Sequence, residues 1–138
     1  MIKIDRSNWP LIILDTGEMK TAEQVSVYHH EMEKLLDYAE QRREMFGIIY
    51  KSPKQDSKDK AQKDAQKLGN AWLKANRPRI AENCAAIGVV TGSSDMMKLM
   101  KPIISLAMKR RMGTKGNIFH STEEAQTWVL EHLSVTDQ

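Results

Sequence analysis

The sequence predicts an α/β protein with a single domain of residues 1–138, built on a mixed, mostly parallel sheet of four to five strands with helices packed mainly on one side. Two observations support this fold class. Short apolar runs alternate along the chain with longer segments whose apolar residues recur every three or four positions. Two capping boxes also mark where helices begin. Because strands that alternate with helices form largely parallel sheets, the predicted element order is ββαβαβαβα.

The predicted strands are short runs, and apart from Lys3 in the first one they carry no Lys, Arg, Asp or Glu in their centres. The run at 85–90 is uncharged and rich in β-branched residues, which is typical of a central strand covered on both faces. The short run at 2–4 is expected at an edge of the sheet. The five predicted strands cover residues 2–4, 11–14, 45–50, 85–90 and 117–120.

The first and last helices are predicted from their capping residues. Thr21 and Gln24 form a capping box, and the helix that they open is expected to end near Arg43. Ser121 and Glu124 form the second box, which opens the last helix. Residues 134–138 are expected to form a polar tail.

Proline complicates the two middle helices. Residues 61–75 carry a thin, alanine-rich apolar stripe, and Pro78 is expected to interrupt this helix before a short final turn. The segment 96–108 is also helical in pattern, and Pro102 is expected to kink or break it. The apolar positions of this segment span about 200° of arc, more than the ~100° stripe of an ordinary surface helix.

Composition excludes several classes of protein. A net charge of +3 is too small to indicate nucleic-acid binding. No stretch approaches the ~18 apolar residues of a membrane span. The lone cysteine, Cys84, cannot form an internal disulfide, which favours a reducing compartment. We therefore expect a cytoplasmic protein.

No motif in the chain names a reaction, a metal or a cofactor. His29 and His30 are adjacent, so they diverge by about 100° on a helix and cannot chelate one ion together. Cys84 begins a predicted apolar strand, and a cysteine at such a position is most often buried and unreactive. An enzyme using Cys84, His120 or Asp15 has no support in the sequence, and no catalytic residue, metal ligand or cofactor is predicted.

Two serine-bearing turns are candidate docking sites for a protein partner. One follows the central strand, where a helix N-terminus and its free N–H groups favour an anion, although ordinary capping explains the same residues. The turn contains neither a Walker loop nor a dinucleotide fingerprint. The candidate partner-binding residues are Ser52, Ser57, Gly92, Ser93, Ser94 and Asp95.

The methionine-rich helix at 96–108 is a candidate ligand site. Methionine suits adaptable apolar surfaces, although plain core filling explains the same residues. Neighbouring basic residues could hold an acidic head group or contact an anionic membrane. The candidate cleft is formed by Met96, Met97, Met100, Ile104 and Met108, with Lys98 or Lys101 at its mouth.

The whole chain resembles the STAS superfamily of sulfate-transporter and anti-sigma-factor-antagonist domains. More narrowly, it resembles the bacterial SpoIIAA-like branch, which is related in fold to CRAL-TRIO lipid-transfer domains. The supporting segments are Gly17 before Thr21-Ala22-Glu23, Ala71-Trp72-Leu73-Lys74 before Cys84, the run 87–93, and the closing segment 118–129 with Phe119 and Glu123-Glu124-Ala125 before Trp128. The resemblance implies a binding protein rather than a catalyst. The Asp-Ser-Ser-Gly-like turn of phospho-switched members is missing after residue 50.

The leading hypothesis is a non-enzymatic regulatory or protein-interaction module of STAS-like fold. The alternative is a binder of a small apolar or lipid-like ligand in the methionine-rich cleft. No nucleic-acid partner is expected, and a homodimer remains open.

Overall fold

The computed structural model describes residues 3–15, 21–51, 60–90 and 95–136, and within these the side chains of 60–62, 66, 95–100 and 134–136 are left aside. The order of elements is the predicted one. They are β1 (Lys3–Asn8), β2 (Leu11–Asp15), α1 (Ala22–Arg42), β3 (Phe46–Lys51), α2 (Lys60–Asn83), β4 (Cys84–Val90), α3 (Asp95–Met112), β5 (Lys115–Phe119) and α4 (Thr122–Thr136).

The five strands form one mixed sheet in the order β1-β2-β3-β4-β5. β1 pairs antiparallel with β2, and the remaining neighbours pair in parallel. Each parallel connection therefore contains one helix, as a crossover requires. This confirms the predicted fold class: an α/β domain on a mostly parallel sheet.

Three of the four helices share one face of the sheet. Leu35 and Leu36 of α1 and Ile80 of α2 pack there against Ile12, Phe46 and other strand residues, and Met112 of α3 joins the same cluster. The pairing register of β3 and β4 shifts between Phe46 and Gly47, because β4 has one extra residue at this point. Because side chains alternate along a strand, this extra residue lets Cys84 and Ile87 point to the same face.

Among the described elements, α4 is the helix that covers the other face. Ala125, Val129 and Leu133 lie fully or almost fully buried there against Ile49 and Ala86. Gly88 allows a close approach, because a Cβ atom at this position would lie 3.3 Å from the Ala125 methyl group. The described helices thus pack mainly on one side of the sheet, as predicted.

The ends of α1 follow the sequence closely. Thr21 Oγ1 accepts a hydrogen bond from the Gln24 N–H, and Gln24 Oε1 accepts one from the Thr21 N–H, both at 3.2 Å. Arg43 closes the helix in the left-handed region at φ 54°. At α4, Ser121 Oγ accepts a hydrogen bond from the Glu124 N–H at 3.2 Å. The two predicted helix starts are confirmed.

One prediction about the helices was wrong: α2 continues through Pro78 to Asn83 without the predicted interruption. Helix α3 continues through Pro102 to Met112, so the proline does not break it, and the alternative of a kink stays a prediction. Helix α4 reaches Thr136 and so includes the first residues of the predicted polar tail. Local propensity favours breaks at these points, but packing against the sheet and its neighbours stabilises most helices in proteins.

Candidate functional site

A cavity of about 520 Å³ lies between α1, α2, α3 and the face of the sheet formed by β3 and β4. Its volume falls within the ~300–1,000 Å³ range of small-molecule sites. Arg111 lines it and is exposed, so the cavity reaches the surface near the C-terminal end of α3. Its described lining is mainly apolar and aromatic: Val25, Tyr28, His29, Met32, Phe46, Ile48, Tyr50, Ala65, Gly69, Trp72, Leu73, Ile80, Cys84, Ile87, Val89, Met108, Arg111 and Met112.

Aromatic rings form one wall of the cavity. The His29 ring stacks on Trp72 with 4.6 Å between ring centroids and 7° between planes. Trp72 Nε1 donates a hydrogen bond to Glu33 Oε1 at 3.2 Å, which fixes the indole from the outside. Tyr28 meets Tyr50 edge to face, with centroids 6.1 Å apart. The wall therefore offers flat apolar surfaces whose orientation is set by partners from two helices and a strand.

His29 is a neutral member of this wall at pH 7. Its side chain is only 7% exposed. Burial lowers the pKa of His29, and the nearby Glu33 carboxylate opposes that change to a smaller extent. A neutral imidazole between α1 and α2 keeps the cavity free of charge on that side.

Tyr28 and Cys84 stay protonated and neutral at pH 7. Burial, with smaller effects from Tyr50 and Cys84, raises the pKa of the Tyr28 phenol. Burial raises the pKa of the Cys84 thiol to about 12, although the Ala86 carbonyl, which accepts a hydrogen bond from Sγ at 3.5 Å, acts in the opposite direction. A thiol with this pKa is a poor nucleophile, because the thiolate is the reactive form.

Arg111 supplies positive charge at the end of the cavity. Its guanidinium donates a hydrogen bond to Asn70 Oδ1 on α2, which bridges the two helices. The described lining contains no Asp, Glu or Lys, and Arg111 is its one arginine. The cavity thus combines an apolar interior with a cation near its opening.

Three of the predicted cleft residues have described side chains, and one of them, Met108, lines this cavity. Ile104 lies half-buried on α3 outside the lining. Lys101 Nζ lies 4.2 Å from the centroid of the Phe119 ring, a cation–π contact. The other four predicted residues belong to the first turns of α3, and their side chains lie outside the described part of the chain: Met96, Met97, Lys98 and Met100.

The predicted partner-docking turns fall almost wholly outside the described residues. This holds for Ser52, Ser57, Gly92, Ser93 and Ser94. Asp95 is the first residue of α3, and its side chain is likewise outside that range. The structure therefore does not test these predictions.

Sequence reasoning missed the aromatic wall on α1 and α2. Trp72 is more than forty residues away from the adjacent Tyr28 and His29 in the chain, and nothing local links it to them. One signal was present: the inner side of α2 carries Ala65 and Gly69, where a tightly packed helix has large apolar residues. Small side chains facing a sheet leave space between the two layers.

The other candidate catalytic and metal-binding residues form no site elsewhere among the described residues. His120 Nε2 lies 3.4 Å from Glu124 Oε1 on the surface, which is an ordinary helix-start contact. Over the described ranges, no group of three or more His, Cys, Asp and Glu side chains is arranged to hold a metal ion. Within the same ranges, no helix has both the length and the apolar character needed to cross a membrane.

No family model matches the chain, and neither a curated protein nor a solved structure matches it significantly. The resemblance to the STAS superfamily therefore stays a prediction from sequence motifs. The assignment to the α/β class stands on the structure itself.

Proposed function

We propose that this protein binds a small apolar or amphipathic molecule in the cavity between α1, α2, α3 and the sheet. The observation that carries the proposal is the cavity of about 520 Å³ with its apolar and aromatic lining. Protein interiors are close-packed and rarely leave voids much larger than a water molecule. A space of this size, next to a core in which many side chains are fully buried, is better explained by an occupant than by loose packing.

Gly69 supports this interpretation. It lies inside α2, where glycine costs roughly 0.5–1 kcal/mol relative to alanine. A Cβ atom at this position would meet no other atom within 4 Å, so close packing does not require the glycine. The residue lowers helix stability and leaves the cavity wall open at the same time.

The test uses N-phenylnaphthylamine, a neutral fluorophore that brightens in apolar surroundings. We expect saturable binding to the wild-type protein and a loss of at least tenfold in affinity for Gly69→Phe, which places a ring in the open space. Gly69→Ala is the matched control, since it also replaces glycine with a residue of higher helix propensity but adds only a methyl group. Equal binding by the Phe and Ala variants, or no saturable binding by the wild type, would contradict the proposal.

A second candidate function is the regulatory or protein-interaction module, now with α3 as the docking element. Ile103 and Leu106 are 65% and 53% exposed, and their spacing of three places them on one side of the helix. The helix carries five basic residues against one acidic residue. An apolar pair with basic neighbours fits a partner protein whose apolar groove has an acidic rim, and it disfavours a second copy of the same helix because like charges repel.

Site-specific photocrosslinking tests this second function. A benzophenone side chain at Ile103 is compared with one at Leu130, which is 46% exposed on α4. We expect a discrete product from position 103 that disappears with Leu106→Asp and is absent from position 130. The same products at both positions, or crosslinks only to anionic lipid, would exclude a protein partner at α3.

A further inference from the structure

We infer that the ligand of the cavity carries a negatively charged head group, which Arg111 binds where the cavity reaches the surface. This inference rests on the proposed ligand binding and adds the chemical class of the ligand. The occupant would be an amphipathic anion, with an apolar body inside and its charge at the C-terminal end of α3.

The distribution of charge in the cavity is the first support. The described lining contains one side chain of the Asp, Glu, Lys and Arg group, and it is Arg111. The neutral His29 and Tyr28 add no compensating charge deeper inside. Among the described residues, a ligand that fills the apolar space therefore meets one fixed cation, at one end.

The partners of Arg111 are the second support. Its guanidinium donates to the neutral Asn70 amide oxygen, and no described carboxylate lies within ion-pair distance of it. Arg79, by comparison, is paired with two carboxylates, and it reaches Asp37 and Glu40 at 2.7 Å. Since a guanidinium has five N–H donors, the contact with Asn70 leaves Arg111 with donors for a carboxylate or phosphate oxygen pair.

The helix dipole alone does not account for this position. Basic residues suit the negative end of a helix, and Lys109 and Arg110 already occupy the last turn of α3 as exposed side chains. Arg111 differs from them because it turns towards α2 and lines the cavity between Met108 and Met112. The two methionines provide apolar surface on either side of the cation.

The test compares decanoate with decanol, which share one alkyl chain and differ in head-group charge. Each displaces the neutral N-phenylnaphthylamine from the wild type, Arg111→Gln, Arg111→Lys and Arg110→Gln at low ionic strength. Arg110→Gln is the matched control, because it removes the same charge from the same helix turn without touching the lining. Unfolding curves of all variants establish that each one is folded.

We expect wild-type protein to bind decanoate about tenfold more tightly than decanol, the scale of one charge-assisted hydrogen-bonded contact. Arg111→Gln removes that preference, Arg111→Lys retains part of it, and Arg110→Gln changes it less than about twofold. The preference also declines with added salt, because the cation is exposed. Inorganic phosphate should compete with decanoate but not with decanol. This result would identify the charge as the feature that the protein recognises.

Two results would overturn the inference while leaving the proposed function intact. One is equal affinity of the wild type for decanoate and decanol. The other is an equal loss of the preference in Arg111→Gln and Arg110→Gln, which would mean general electrostatic attraction. If neither compound displaces the fluorophore, the head-group inference is overturned. The binding of the fluorophore to the Gly69 variants then decides the proposed function.

Discussion

At the residue scale, Gly47 lies directly against the Val129 side chain of α4. A methyl group on this residue would overlap the Val129 side chain, which is itself fully buried. Gly69 is the opposite case, since a methyl group there would meet open space. The same residue type therefore has two different roles: one glycine lets two layers touch, and the other leaves a gap.

We predict opposite effects of alanine at these two glycines. Gly47→Ala should lower the free energy of unfolding by about 1–3 kcal/mol, because an added methyl group must displace Val129. Gly69→Ala should raise it by roughly 0.5–1 kcal/mol through helix propensity. Urea denaturation followed by circular dichroism measures both. A loss of stability in Gly69→Ala would show that the space beside α2 is filled.

The thiol of Cys84 should resist modification in the folded protein. It is 1% exposed, and its pKa is raised to about 12, so both access and ionisation disfavour alkylation. Iodoacetamide at pH 8 should label it only after denaturation, as followed by intact mass. Lys109→Cys, on an exposed position of α3, serves as the reactive control. Rapid labelling of native Cys84 would bring back the hypothesis of a cysteine enzyme.

His29 should make stability depend on pH below its ordinary pKa near 6.5. Because the folded state lowers this pKa, the unfolded state binds the proton more readily. The contribution of His29 is thus complete above about pH 6.5 and is lost as the pH falls towards the lowered value. His29→Phe should reduce this slope between pH 7 and 5.5 in urea denaturation.

His30→Phe is the control for the loss of an imidazole, since His30 is exposed on the same helix. Part of the slope will persist in His29→Phe, because burial and Lys115 also lower the pKa of His132. An unchanged slope in His29→Phe would mean that this histidine titrates in the same way in both states.

At the scale of elements, α2 and α3 both contain a proline without ending there. Pro102 is exposed in α3 and lacks the N–H that would continue the helix ladder. Helix α3 contacts β5 on both sides of that proline: Lys101 lies over the Phe119 ring, and Met108 and Met112 lie over Gly116. Tertiary packing thus holds the helix together across a position where its local propensity is poor.

We predict that Pro102→Ala raises the free energy of unfolding by about 1–3 kcal/mol, the range set by the helix propensity of proline relative to alanine. The gain is partly offset because alanine also frees the unfolded chain. Lys109→Ala, another exposed position on α3, should change stability by less than about 0.5 kcal/mol. A destabilised Pro102→Ala would indicate that the rigid proline ring is needed in the native helix.

At the scale of the whole molecule, α3 separates two surfaces. Its inner side contributes Met108 and Met112 to the cavity, while its outer side presents Ile103 and Leu106 to solvent. A ligand and a partner could therefore bind to opposite sides of the same helix without competing for residues.

This separation predicts that the double substitution Ile103→Ser and Leu106→Ser leaves the cavity intact. Both side chains are more than half exposed, so the free energy of unfolding should change by less than about 1 kcal/mol in total. The affinity for N-phenylnaphthylamine should stay within about twofold of the wild type, whereas Leu106→Ser, combined with the benzophenone at position 103, should weaken the photocrosslink to a partner. A strong loss of fluorophore binding would show that the two surfaces are coupled.

The sequence by itself determined the order of elements and the class of the fold. Apolar runs of strand length, periodic apolar stripes and the capping residues at Thr21 and Ser121 are local signals, and each is visible in a short window. Their alternation restricts the sheet to mostly parallel pairing. The resemblance to the STAS superfamily, by contrast, stays a prediction because the motifs behind it are structural ones shared by many sheets and helices.

Only the tertiary structure decided where the cavity lies and what lines it. Tyr28, Trp72 and Arg111 come from three helices, and their proximity depends on how those helices cross the sheet. It also decided that α2 and α3 continue through Pro78 and Pro102, against the local expectation. The physical reason is the same in both cases: burial and packing energies arise between distant segments, and they outweigh the propensities that a short stretch of sequence can reveal.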